Sequence, residues 1–161
     1  MIAEGAKHVL ILDLDAHCGG GTHSLVENLT NVWHLDIAVN EYDIYVPSGH
    51  NSLDLVTDHQ DYLPVVKSRL SSLDQKAPGF DICLYNAGMD PHEGCTIGGL
   101  KGITLEVLRE REYLVFEWFR QRRVPIAFVI AGGYTSVTLN QSGLVQLHRL
   151  TLEAAAMVFC R

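Results

Sequence analysis

The sequence predicts an α/β domain with a mainly parallel sheet in a three-layer α/β/α arrangement. Short apolar runs alternate with longer segments of helical spacing along the whole chain. The first and fourth of these runs lack the in–out alternation of a half-solvated strand, which fits strands covered on both faces. Three of them end in polar or glycine-rich clusters, and ligand crevices in open parallel sheets lie beyond the carboxyl ends of the strands.

The first strand is 8–13, reading HVLILD, apolar until its closing aspartate. A turn at Gly19–Gly21 leads to a short helix over 22–28, and 32–39 is the second strand. Residues 40–58 are polar and include Pro47, Ser48, Gly49 and Asn51. They read as a long surface loop with a brief extended piece at 53–56, and loops this long are more often functional than filler. Leu63, Val66, Leu70 and Leu73 space a helix over 61–75, with Pro64 in its first turn, where a missing N–H costs little. The third strand is 80–86, followed by a glycine-rich loop over 87–102. Thr104 can cap a helix running to residue 123, with Glu106 near its start and Arg120, Arg122 and Arg123 at its end, matching the helix dipole. The fourth strand, 125–131, is wholly apolar from residue 126, turns out through Gly132, Gly133 and Tyr134, and precedes a last helix over 141–159. No repeat or low-complexity tract interrupts this order, so residues 1–161 read as a single domain.

Composition narrows the function. The chain has 161 residues, is 47% hydrophobic and carries a net charge of −7; its sequence pI is about 5.5 and its mean hydropathy +0.10. An acidic chain without a basic run is a poor match for a phosphate backbone, so nucleic acid is not an expected partner. No apolar run approaches the roughly 18 residues of a membrane span. The first residues include Glu4 and Lys7 and form no apolar stretch, so no export signal is expected. Cys18, Cys83, Cys95 and Cys160 show no CxxC spacing, which implies reduced thiols in a cytoplasmic setting and no zinc held by cysteine.

Asp13, Asp15 and His17 stand at i, i+2 and i+4, and at strand period all three would point to one side. Two carboxylates and an imidazole so close repel unless a cation or protons intervene. A divalent metal resolves that cost: carboxylate and imidazole suit Zn²⁺, and also Fe²⁺, Mn²⁺ or Co²⁺. Asp90 would supply the third protein ligand, leaving positions open for water and substrate. The competing reading is that Asp13 and Asp15 cap the following turn and that His17 is a loop histidine.

Three stretches, VLILDLDAHCGGGT at 9–22, LYNAGMDPHEGCTIGGL at 84–100 and VIAGGYT at 129–135, resemble in order and spacing the histone deacetylase and acetylpolyamine amidohydrolase family, within the arginase–deacetylase superfamily. The resemblance covers essentially the whole chain but only the C-terminal part of the family domain, so it implies a truncated deacetylase-like fold. By it, Asp15, His17 and Asp90 match the zinc ligands. Tyr134 matches the tyrosine whose hydroxyl steadies the oxyanion formed as water attacks the amide carbonyl, and Gly132 and Gly133 are assigned to substrate binding. Asp13 matches the aspartate that orients an active-site histidine. Family enzymes also hold a buried monovalent cation, usually K⁺, at the positions of Asp13, Asp15, His17, Asp36 and Ile37. The implied activity is hydrolysis of an acetylated amine or acetyl-lysine.

The sequence also departs from the family pattern. No HisHis pair, the family's general base and acid, occurs among its eight histidines. Residue 20 is glycine where the family has a second histidine-orienting carboxylate, and Cys95 stands where many members have aspartate. His23, His50 and His92 are the histidines that could substitute in proton transfer. Three readings therefore stand: a divergent metal-dependent amidohydrolase, a non-catalytic metal-binding or oligomeric protein, or a fragment completed by another chain. Without the N-terminal part of the family domain an apolar face would be left open, so a homo-oligomer covering it is expected.

Overall fold

A computed structural model describes residues 5–160. Nine elements follow one another: β1 (Val9–Asp13), α1 (Gly20–Val26), β2 (Val32–Ala38), β3 (Asn51–Leu55), α2 (His59–Lys76), β4 (Ile82–Gly88), α3 (Leu105–Arg122), β5 (Ile126–Ala131) and α4 (Gln141–Phe159). The five strands form one sheet in the order β3-β2-β1-β4-β5, and every pairing is parallel. The chain leaves β1 toward one edge, then returns to build β4 and β5 on the other side. β1 and β4 therefore flank the switch point, and the loops after them diverge to open a crevice.

Local chemistry accounts for the helix boundaries. The Asp58 side chain accepts from Gln60 N–H at the start of α2, Thr104 from Val107 N–H at the start of α3, and Asn140 from Gly143 N–H at the start of α4. α3 stops at Arg123, which takes a left-handed φ of 56°. α2 starts two residues earlier than its apolar spacing predicts, so Pro64 falls in the second turn rather than the first. It lies on the exposed side, where the carbonyl freed by its missing N–H can meet water. The extended piece expected at 53–56 is a full strand, Asn51–Leu55, paired along the edge of β2.

The sheet has two unequal faces. Leu10, Leu12, Leu35, Ile37, Cys83 and Tyr85 pack under α2, α3 and α4 in one core that includes Tyr62, Val66, Leu70, Phe116, Phe119, Leu147 and Leu150. The alternate residues face the other layer, where Val26 of α1 meets Val9, Val32, Ile11, Ile82 and Leu84. That layer is thin. Ile11, Leu84, Ala127, Phe128 and Val129 line an apolar groove of about 550 Å³ that also reaches Asp13 and Asn86. The apolar run over 126–131, read as doubly covered, is thus an edge strand with Val129 55% exposed. No helix among the described residues is long and apolar enough to cross a membrane.

Candidate metal centre

The strand period ends at Asp13, the last residue of β1, and the chain bends at Asp15 and Ala16. Asp13, Asp15 and His17 therefore do not form a single row. The bend occurs because the chain beyond β1 changes partners. Val39 and Asn40 N–H both donate to Ala16 C=O at 2.8 Å, and Cys18 N–H donates to Tyr42 C=O at 2.9 Å.

Past the bend, Asp15 and His17 meet Asp90 from the loop after β4, and their ligand atoms lie within 4.8 Å of one another. His17 Nδ1 is 3.0 Å from Asp15 Oδ1 and 3.1 Å from Asp90 Oδ2. Asp90 is placed by Ala16 N–H, which donates to its Oδ1 at 3.0 Å, and Asp15 by His17 N–H at the same distance. Asp90 Oδ2 is buried and accepts no hydrogen bond. Burial, and then the charge of Asp15, push the Asp90 carboxyl up to about 6. Two carboxylates and an imidazole nitrogen that converge on one point, one oxygen unsatisfied, fit a divalent cation.

The loop after β5 closes over this cluster. Gly132 has φ 63°, and a Cβ there would stand 2.6 Å from Asp90 Oδ1 and 2.8 Å from Asp15 Oδ2. Only a residue without a side chain lets the backbone approach both carboxylates so closely. Gly133, at φ 101°, lies instead against Leu144. Tyr134 follows, 40% exposed, its ring edge-on to His17 at 6.4 Å. Its N–H donates to Cys95 Sγ at 3.5 Å. His17, Cys18, Asn40, Tyr42, Asp43, Ile97 and Tyr134 line a cleft of about 550 Å³ over the cluster.

Asp13 belongs to a second carboxylate pair, on the thin face of the sheet. It lies opposite Asp36 in the β1–β2 register. Its Oδ1 accepts from Asn86 Nδ2 at 2.8 Å and from Asp15 N–H at 3.1 Å. Asp36 Oδ2 accepts from Gly19 N–H at 2.7 Å, while its Oδ1 is buried without a partner. Burial raises Asp13 to about 6 and Asp36 to about 7. Ile37 points its side chain into the opposite, helix-covered core, so only its backbone can serve this pair.

Three neighbours of the site carried no assignment in the sequence reading. Asn86, which holds Asp13, closes the third apolar run, where a polar residue at a strand end was a usable signal. Asp43 sits in the long loop, at a left-handed φ of 61°, and its Oδ2 accepts from Gly21 N–H at 2.8 Å. A Cβ at residue 20 would stand 2.4 Å from the Asp43 carbonyl and 2.9 Å from its Oδ1. The carboxylate missing at residue 20 thus has a neighbour from another loop. Arg111 reaches the site from mid-α3, and no local pattern marks it. Of the histidines considered as substitutes, His23 is buried beside Tyr45, His50 stacks on Trp33, and His92 accepts from Gly94 N–H; none lines the cleft.

A family model described as the histone deacetylase domain matches residues 1–150. An uncharacterized protein of Picosynechococcus sp. is 32% identical over 161 residues, covering 96% of this chain and 51% of the relative. Histone deacetylase 2 of Arabidopsis thaliana is 26% identical over 156 residues, covering 87% of this chain and 40% of the relative. The chain thus spans about half the length, or less, of these curated relatives. Among solved structures, an acetylpolyamine aminohydrolase from Burkholderia pseudomallei superposes with a TM-score of 0.79 at 17% identity, over 98% of this chain and 47% of that one. An HDAC homolog complexed with SAHA gives 0.71 at 17% identity, over 99% and 44%. At that identity the two structures establish a shared fold.

Proposed function

The chain belongs to the histone deacetylase family, and from that premise we propose that it forms the metal-binding half of an amidohydrolase centre acting on an acetylated amine. The observation that carries this reading is the convergence of Asp15, His17 and Asp90 around the unsatisfied Asp90 Oδ2. These residues would hold Zn²⁺ or a related divalent ion. Such an ion supplies Lewis acidity, polarising the acyl carbonyl and lowering the pKa of water.

The chain's own residues do the rest of what this half can do. Tyr134, on the cleft wall, donates its hydroxyl to the oxygen that gains negative charge, a contribution of roughly 3–4 kcal/mol in the transition state. Gly132 lets the backbone pass directly over the carboxylates, and any contact of Gly132 and Gly133 with substrate would be made through that backbone. Asp13 and Asp36, with the backbone of Asp15, His17 and Ile37, would hold a monovalent cation such as K⁺ beneath the centre, where Asp36 Oδ1 has no other partner. Proton transfer, typically worth about 10²–10⁴-fold, falls to groups from another polypeptide segment.

A second reading, a non-catalytic metal-binding protein, is favoured by one observation: no two of the eight histidines are adjacent in the sequence. In either case the open apolar face needs cover, and a second copy of the chain on that face meets the need.

Metal analysis tests the centre. Zinc-supplied protein should hold about one ion per chain and Asp15→Ala or Asp90→Ala should hold none; absence of stoichiometric metal in wild type would sink the reading. An acetyl-lysine hydrolysis assay tests the chemistry: Tyr134→Phe should lose about 10²–10³-fold. Undiminished activity in that variant would remove Tyr134 from the mechanism. No activity in a metal-loaded wild type would favour the non-catalytic reading.

A further inference from the structure

Arg111 of α3 is wholly buried, yet the site lies at the ends of the strands and α3 contributes nothing to the cleft lining. Its guanidinium is spent almost entirely on two backbone carbonyls and one carboxylate. Nη1 donates to Leu14 C=O at 3.1 Å and Nη2 to Gly88 C=O at 2.9 Å. Nε donates to Glu112 Oε1 at 2.8 Å. Leu14 is the residue before Asp15, and Gly88 stands two residues before Asp90. One planar fork thus spans the first carbonyl past β1 and the last carbonyl of β4, at the points where the chain leaves each strand to deliver a carboxylate.

The surroundings hold that fork in place. Tyr62 of α2 accepts from Nη1 at 3.0 Å, and Tyr85 of β4 donates to the Glu112 oxygen that Arg111 also contacts, at 2.7 Å. Both tyrosines are fully buried. The two strand ends it ties are also in close approach, since a Cβ on Gly88 would lie 2.6 Å from Asp15 Cα. A small change in the spacing of the two chains therefore transmits directly to Asp15 and Asp90.

From this geometry we infer that Arg111 is a positioning residue, which sets the separation of Asp15 and Asp90 by bridging the carbonyls of Leu14 and Gly88. The inference rests on the metal-centre reading for its function, but the positioning itself is a property of the protein alone. The ion pair with Glu112 lies within α3 itself, and a simple fastening of the helix to the sheet would need only one of the two carbonyls. The bidentate bridge to two different strand ends goes beyond that, and a lysine, as a point donor on a flexible stem, cannot reproduce it.

Two readouts on the full chain test this. In metal-free protein, Arg111→Lys should speed amide exchange at Ala16, whose N–H is held by Asp90 Oδ1, by about tenfold or more, while mid-strand amides of β1 keep their protection. In Co²⁺ titrations the same variant should bind roughly 10–100-fold more weakly and with an altered visible spectrum, as loss of an outer-sphere partner does. Leu150→Ala, a buried change on α4 that touches none of these partners, should lower the melting temperature without moving either readout. A folded Arg111→Lys with unchanged Ala16 exchange would overturn the inference. If that variant does not fold, Arg111→Gln, whose amide cannot span both carbonyls, takes its place, and unchanged Ala16 exchange there overturns the inference equally. Wild type that fails to bind Co²⁺ while Ala16 exchange still responds to Arg111→Lys would refute the metal reading and leave the positioning role standing.

Discussion

The two faces of the sheet are built from alternate residues of the same strands, yet they end in different states. On one, Leu10, Leu12, Ile37 and Cys83 are fully buried beneath three helices. On the other, Ile11 and Leu84 are half-buried and Val129 is 55% exposed, with only the seven-residue α1 above them. Both faces carry apolar side chains toward the start of the strands, so composition specifies burial on both. The residues that complete it are supplied for one side only. The polar groups also divide between the faces: Asp13, His34, Asp36 and Asn86 occupy the thin one, next to the crevice, where a carboxylate can sit beside a cation. The thick face bears structure, and the thin one meets the site and whatever covers it.

The largest expected effect lies on the thick face. Phe116→Ala, emptying a fully buried aromatic site against Tyr85 and Phe128, should cost about 3–5 kcal/mol in urea unfolding. If Val129→Ala cost as much, the two faces would not differ as described. Next comes the crevice itself. Gly132→Ala meets both a left-handed backbone and the Asp90 carboxylate, and should cost about 1–2 kcal/mol for the backbone alone and abolish stoichiometric metal.

The buried acids of the thin face give a smaller, pH-dependent effect. Asp36 and Asp13 are raised to about 7 and about 6 by burial, so the folded state holds protons that the unfolded chain releases near pH 4. The unfolded state then binds fewer protons, and the contribution of these two groups to stability is fullest below about pH 4. It is lost as pH rises toward 6–7, at no more than about 1.4 kcal/mol per pH unit for each group. In chelator-treated protein, unfolding profiles of wild type and Asp36→Asn should diverge over that window, and added K⁺ should blunt the loss in wild type alone. The smallest effect on folding is expected at Val129→Ser, within about 0.5 kcal/mol. That change should nevertheless shift sedimentation from oligomer toward monomer; a monomeric wild type would remove the second copy from the thin face.

Legibility in the sequence varied with the range of the interaction. The α3 and α4 spans were read to within a residue or so, because caps and apolar spacing are local. β3 was seen only as a brief extended piece: NSLDL is too polar to advertise a strand, and pairing with β2 makes it one. In the candidate site, Asp15, His17 and Asp90 stand in short polar clusters at strand ends, where residue type and spacing carry a signal, whereas Gly132 and Tyr134 were singled out by the family resemblance. The single row of Asp13, Asp15 and His17 was not realised, since strand period applies only while the chain stays in the sheet. Asp43 and Arg111 were silent, because each reaches its partners across a loop or a helix.

The sequence by itself determined an alternating α/β chain whose strands end in carboxylates, imidazole and glycine, since periodicity, caps and residue chemistry act over a few positions. Only the tertiary structure decided which carboxylates converge with His17 and which are separated on another face. It also decided how far apart they stand, and that one face of the sheet lacks a full cover. Those outcomes depend on strand order, on the bend after Asp13 and on contacts such as Arg111 with Leu14 and Gly88, which join residues far apart in the chain.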